Sequence, residues 1–534
     1  MAHLQKGNSQ FPFWGSSLKL IRGLDPLGLQ TTSEAIYANL LPGISNLTNR
    51  LRYYGFYCWL IDFYQKKEKK GNSKEQYNFI RRAELLIAII MQSENNEILQ
   101  ITGSSFAASL INNTTENFYD LAIGAAQKTA NETVYWKYPS GAFGQYYFSP
   151  MNTLSLILMA SNTDGDTIFT VSKPTRVHSV SGQELAAAFE SKIPNNVKEI
   201  FYNCITSGKL FKEHIAILYT YFAIEKISPD SEEWKLYVSM LLDKDEPTQE
   251  NEELFTFHRK ETIRQLINFA IDNDNLFNWK TFLLKAYNQK LDPQNINENI
   301  TQIAWYSYKL NEYYQFACGS VFFATSQYLQ SLQSDQYLPQ FVKDLASLIV
   351  VDLSSSYNIT PEQNIVSLLK NSSILESEES LVNQIESLKP NEYIKFASYG
   401  ITLFFKLYIE NIHFLKSLRD FIIQNNTIRD GNMVDGLLFL NEMQNFTVLS
   451  FIEHFILNKI IYRHQKVAIR KMGDTNQSTH KFIIENQYIR HIDSFPPRFT
   501  SPRLNTLFNL LSDLSVVNSD STLTPMHNML ILNK

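Results

Sequence analysis

At 534 residues the chain has room for about three or four domains of ordinary size. Its 44% hydrophobic content, with 36 Phe and 28 Tyr, supplies aromatic cores, and 19% charged residues exclude a disordered chain. The formal net charge of -5 excludes a protein that coats nucleic acid uniformly, so any nucleic-acid contact must use a local basic patch.

Cys58, Cys204 and Cys318 lie far apart, form no CxxC pair and fit a reducing compartment. The opening MAHLQKGNSQ has no apolar signal-peptide core, and ELLIAIIM at 84–91 is too short to span a bilayer. The expectation is a soluble, cytoplasmic protein with no membrane association.

Helical periodicity dominates, and Gly is scarce at 19 residues. GLDPLGL at 23–29 reads as a turn punctuated by Pro26 and Gly28. Thr32 or Ser33 then caps a short helix ending at Pro42-Gly43, and Ser45 caps a second that runs to about Lys66. Leu47, Leu51, Tyr54, Cys58 and Ile61 line one face of that second helix. Phe56, Trp59, Leu60 and Phe63 make its other faces apolar as well, so the helix is buried. Arg50 and Arg52 then sit near a core and need partners, with Asp25, Asp62, Glu34 and Glu84 as candidates. Two readings stand: a buried Arg–carboxylate clamp, or a phosphate or ligand contact.

Polar breaks are expected at 71–76, 243–253 and 426–432. RRAELLIAIIMQ (81–92) and SSFAASLINN (104–113) are helical. A helix over about 144–157 leads into the β-run LILMA, a tight turn, the β-run TIFTVS, and a helix starting at Ser181 or Gly182. Helices followed by a two-stranded wing make a winged-helix-like pattern. Its GQYYFSPMNTL segment carries no Lys or Arg and reads as a protein-contact or packing unit. The C-terminus repeats the order: a helix from Ser501-Pro502, then SVV, a turn, TLT and a last helix. KFIIENQYIRHI at 481–492 has strand character with a turn at Asn486. The middle is a helical scaffold with long periodic segments such as 303–332 and 393–423.

The fold class expected is therefore mainly α, a helical scaffold with two winged-helix-like modules carrying short β-wings. The segments are 1–74 (N-terminal helical signature region), 75–195 (winged-helix-like module), 196–455 (helical middle) and 456–534 (basic C-terminal winged-helix-like module).

Catalytic motifs are missing. SGKLF at 207–211 lacks the upstream Gly of a phosphate-cradling loop, and no GxGxxG, HExxH or GxSxG is present. No HEPN-type or PD-(D/E)xK nuclease arrangement is found. On one continuous helix His454 and His464 would point apart by roughly 80°. No cofactor or metal is expected, and the chain leans away from enzymes, although catalytic residues can be dispersed.

The main electrostatic feature is 459–503. Lys459, Arg463, Lys466, Arg470, Lys471, Lys481, Arg490, Arg498 and Arg503 face only Asp474, Glu485 and Asp493. Arg463, Lys466 and Arg470 share a helix face. The stretch reads either as a DNA-backbone contact through Lys459, Arg463, Lys466, Arg470, Lys471, Lys481, Arg498 and Arg503, or as a solvated face pairing with acids such as ESEES at 376–380.

The pattern DPLGL, then LLPGISNLTNRLRYYGFYCWLIDFY, then RRAE resembles the N-terminal signature of uncharacterised bacterial proteins encoded in phage-defence islands. Asp25, Leu27, Gly28, Leu41, Pro42, Gly43, Thr48, Arg50, Arg52, Tyr53, Tyr54, Phe56, Trp59 and Tyr64 carry it. It covers about 60 residues well; GQYY and RHQKVAIRK…KFIIENQYIR match more loosely. The resemblance implies a role in defence against foreign DNA, beside helicases, ATPases or nucleases. It supplies no catalytic residue, and it makes Arg50, Arg52, Tyr54 and Trp59 a structural signature. Three functions follow as expectations. The first is a non-enzymatic DNA-engaging component of a multi-protein antiphage system. The second is a kleisin-like adaptor of an SMC-type or helicase ATPase. The third is a nuclease or toxin with a dispersed site.

Overall fold

The computed structural model describes residues 19–20, 25–68, 71–95, 97, 100–127, 134–161, 165–175, 180–242, 256–289, 299–370, 374–425, 427–472 and 477–531. It is mainly helical, 63% helix and 7% strand. The break expected at 243–253, residues 23–24 of the first turn, and Asp474 lie outside the described residues.

The chain divides into two compact units, each built from separated stretches of sequence. The first comprises Met1–Ile36 and Leu283–Thr500; the second comprises Tyr37–Phe282 and Ser501–Lys534. The segment 456–534 is thus shared between units, and so is 196–455.

In the second unit, every residue from Arg52 to Tyr64 on the Arg52–Lys67 helix is buried. Trp59 sits at its centre, 5.0 to 5.8 Å from the rings of Phe63, Phe189, Phe201 and Phe222. A core ring of this kind is worth about 3–5 kcal/mol against alanine. Gly55 permits close approach, since a Cβ there would lie 2.3 Å from the Tyr237 hydroxyl.

This helix starts at Arg52, not at Ser45. Ser45 instead closes a local turn by accepting from Leu47 N, and Leu47 is exposed. The preceding helix, Gln30–Leu40, is capped by the Asp25 carboxylate, which accepts from Leu29 N and Gln30 N; Thr32 and Ser33 lie inside it. A carboxylate that satisfies two free N–H groups and the positive helix end outcompetes a hydroxyl. The break at 71–76 shrinks to two residues, because Asn72 and Glu75 form a capping box that starts the Ser73–Glu94 helix.

Residues 143–153 are helical, and strands Ile157–Ser161 and Thr167–Val171 pair antiparallel. The helix ends at Thr153, earlier than expected, because Ser155 turns the chain in a left-handed conformation (φ 53°). Ser181 caps the Gly182–Glu190 helix in a second capping box. Near the C-terminus Leu504–Asp513 is helical, Val517 bridges Leu523, and His527–Ile531 is helical. Ser501-Pro502 does not start that helix; Arg503 precedes it with φ 62°.

In the first unit the 32-residue helix Ile300–Ser331 runs against Tyr393–Asn411. The periodic segment 393–423 divides into Tyr393–Asn411 and Leu415–Gln424. Strands Phe482–Glu485 and Tyr488–His491 form a hairpin, turned by Asn486 and Gln487 with φ 49° and 70°, and Gln336–Tyr337 adds a third strand. Among the described residues no helix is long and apolar enough to cross a membrane.

Candidate functional site

The signature residues are engaged in structural contacts. Arg52 donates to Glu233 Oε1 at 3.0 Å, to Tyr221 O at 3.3 Å and to Ala223 O, and lies 4.8 Å from the Phe189 ring. Arg50 pairs with Asp513 Oδ1 at 2.9 Å, while Asp513 Oδ2 accepts from Leu51 N at 2.8 Å. Burial pushes the Asp513 carboxyl up to about 6, against the pull of Arg50 and the Leu51 N–H. Neither partner is among Asp25, Asp62, Glu34 and Glu84. Asp513 and Glu233 come from distant helices, which sequence proximity does not reveal.

Both Pro-Gly turns of the signature have their carbonyls taken by side-chain donors. In LLPG, Leu40 O accepts from Thr262, Leu41 O from Arg503, Pro42 O from Arg259, and Gly43 O from Tyr54. In DPLG, Asp25 O accepts from Lys471, Pro26 O from His464, and Leu27 O and Gly28 O from Arg463. Turn carbonyls withdrawn from water need such partners. Gly28 carries φ 64°, and a Cβ there would reach within 3.0 Å of Val467. The DPLG turn and the RHQKVAIRK helix, both matched in the resemblance, are therefore neighbours.

His464 occupies the centre of this second clamp. Its Nε2 accepts from Lys481 N at 2.9 Å, so Nδ1 carries the hydrogen and donates to Pro26 O. Burial lowers its pKa to about 4, keeping the ring neutral. His454 lies elsewhere, stacked on Phe439, and the π-helical stretch Phe455–Tyr462 breaks the regular helical phase between the two. Among the described residues no group of three or more His, Cys, Asp or Glu could hold a metal ion.

The eight basic candidates separate by environment. Seven belong to the first unit and Arg503 to the second, where it lies 5.0 Å from the Tyr37 ring while donating to Leu41 O. Lys481 is buried and bonds Asp493 at 2.6 Å. Lys459 is partly buried, 4.0 Å from the Phe439 ring, and burial lowers its pKa. Arg463 turns inward to the DPLG carbonyls, Asp430 O at 3.0 Å and the Asp430 carboxylate at 3.5 Å. Arg463 still shares Asp430 with Lys466, as residues three apart on one helix face can, but its guanidinium is half-buried against the turn. Lys471 reaches back to Asp25 O, and Arg498 is exposed against the Phe495 ring.

The outward face of the Arg463–Met472 helix carries Lys466, with 70% of its side chain exposed, and exposed Arg470. Lys466 has one long contact, 3.4 Å, to half-exposed Asp430. Tyr462 and Ile469, 47% and 63% exposed, complete this stripe. Neither was singled out from sequence. The available signal was Tyr462 standing four residues before Lys466 and eight before Arg470.

Glu84, in the second unit, is fully buried. It accepts from Tyr57 Oη at 2.9 Å, Ala142 N at 3.0 Å and Phe143 N at 2.6 Å. Burial raises its pKa to about 7 despite these donors. Arg81, one turn away, donates to the carbonyls of Ala125, Ala126, Trp136 and Tyr138. The pair ties Ala125, Ala126, Trp136, Tyr138, Ala142 and Phe143 to the Ser73–Glu94 helix. SGKLF is also structural: Gly208 (φ 71°) ends the Asn195–Ser207 helix, and Lys209–Phe211 pairs with Phe118–Asp120.

A crevice beside the DPLG turn, lined by Asp25, Pro26, Gln315, Gly319, Phe495 and Arg498, measures about 20 Å³. That holds a water molecule and not a substrate. Compared with known proteins, the chain matches no family model, no curated protein and no solved structure.

Proposed function

We propose that the protein is a non-enzymatic, DNA-engaging component of a multi-protein bacterial antiphage defence system, acting in the cytoplasm. The observation that supports DNA contact is the division of labour on the Arg463–Met472 helix. Arg463, His464 and Lys471 are occupied with turn carbonyls, whereas Lys466 and Arg470 are exposed, Lys466 near Asp430 and the Arg470 guanidinium beside Gly28. Solvated cations can displace counterions from phosphates; cations already buried against carbonyls cannot. The defence role rests on the signature resemblance.

Partner proteins, such as an ATPase, helicase or nuclease of the same system, would meet the winged-helix-like segment 75–195. There the Ile157–Ser161 strand exposes Leu158 and Met159. The same exposed strand supports the second reading, a kleisin-like adaptor that binds protein without touching DNA.

The test compares purified wild type with a Lys466→Glu/Arg470→Glu variant in DNA binding across a salt series. The proposal expects salt-dependent binding that is weaker and less salt-dependent in the variant, which keeps its melting temperature. Absence of wild-type binding at low salt would remove the DNA component and leave the adaptor.

A further inference from the structure

We infer that the outward stripe of the Arg463–Met472 helix is built for single-stranded rather than duplex nucleic acid, an inference that rests on the DNA-engaging reading above. Lys466 stands four residues after Tyr462, the last residue of the π-helical stretch, and Ile469 and Arg470 stand three and four after Lys466, so a ring and an apolar side chain flank two cations on the exposed side. The line from Tyr462 to Arg470 is about 12 Å long, enough to follow a short run of backbone phosphates.

The composition of the stripe decides between the two forms. Phosphate contact alone leaves exposed Tyr462 and Ile469 with nothing to do. In a duplex groove Arg or Lys can read guanine and Asn or Gln can read adenine, but neither contact uses an aromatic face. This stripe has no Asn, Gln, Ser or Thr, and the helix's one amide, Gln465, already donates to Phe482 O at 2.8 Å. In a duplex the base faces are hidden in the stack; in a single strand they are free to stack on a tyrosine ring while Lys466 and Arg470 follow the backbone. Asp430 is the carboxylate that contacts Lys466, and at 3.4 Å with half its side chain exposed it can be exchanged for a phosphate.

Full-length protein would be titrated against fluorescein-labelled oligo-dT of about 12 nucleotides and against a duplex of the same length. Tyr462→Ala and Tyr462→Phe would be measured alongside. The expected result is tighter binding of the single strand, weakened by roughly 5- to 150-fold in Tyr462→Ala and retained in Tyr462→Phe. Equal or tighter duplex binding, or a Tyr462→Ala variant with unchanged oligo-dT affinity, would overturn the inference while leaving the DNA-engaging reading intact. No binding to either probe would overturn both.

Discussion

Replacing Arg463 with alanine removes the guanidinium that holds the DPLG turn. Three carbonyls lose a charged donor: Leu27 O at 2.6 Å, Gly28 O at 3.3 Å and Asp430 O at 3.0 Å. The Asp430 carboxylate loses one of its two cationic neighbours, at 3.5 Å, and keeps Lys466. Hydrogen bonds to charged donors contribute about 1.5–3 kcal/mol each, an upper sum of about 5–9 kcal/mol. Water can replace part of this, because Asp430 is half exposed while the Arg463 side chain is only 14% exposed. The expected net loss is about 3 kcal/mol, the worth of one or two such bonds once water has replaced the rest. In a unit of this size that lowers the melting temperature by roughly 6–12 °C. Two compact units need not melt together, so calorimetry would be paired with hydrogen exchange at Leu29 and Gln30. Both amides should lose protection in Arg463→Ala and keep it in Lys466→Ala, which should shift stability by under about 0.5 kcal/mol. An Arg463→Ala protein that melts within about 1 °C of wild type would refute the assignment of Arg463 to the clamp.

The two units should respond to pH in opposite directions. His464 titrates near 6.5 unfolded and about 4 folded, so its stabilisation of the first unit is present above pH 6.5 and lost, by roughly 3 kcal/mol, as pH falls to 4. Glu84 titrates near 4.5 unfolded and about 7 folded, so its contribution to the second unit is present below pH 4.5 and lost by a similar amount as pH rises to 7. Calorimetry at pH 5 and 8 should move the two transitions oppositely; movement of both in one direction would contradict these assignments. Arg52→Ala should cost about 3–5 kcal/mol by leaving Glu233 buried and unpaired, whereas Arg52→Met with Glu233→Leu should cost far less, as read from urea midpoints. Gly55→Ala should cost about 1–3 kcal/mol by pressing on the Tyr237 hydroxyl, and Tyr237→Phe in the same background should recover part of it.

The helical class, the Ile157–Ser161/Thr167–Val171 hairpin and the Asn486 turn were legible because they rest on local periodicity and turn chemistry. The buried helix around Trp59 was legible for the same reason: residues apolar on every face leave no side for water. The partners of Arg50 and Arg52 were not. Asp513 and Glu233 are brought in by tertiary packing, and many carboxylates in the sequence look alike. The basic stretch misled in a similar way. Its charges are visible in sequence, but whether a cation faces a turn carbonyl or solvent depends on the DPLG segment more than 400 residues away. Helical spacing put Arg463 beside Lys466, and both reach Asp430, but it could not show that the DPLG carbonyls also hold the Arg463 guanidinium.

The most direct measurement is the salt dependence of DNA binding by the full chain, in wild type and Lys466→Glu/Arg470→Glu. If the outward stripe engages phosphates, the log–log slope of wild-type affinity against salt should be negative, and the variant's slope shallower by roughly 1.4–1.8 for two lost contacts. Binding with the same slope in both proteins would place the contact elsewhere and contradict the account.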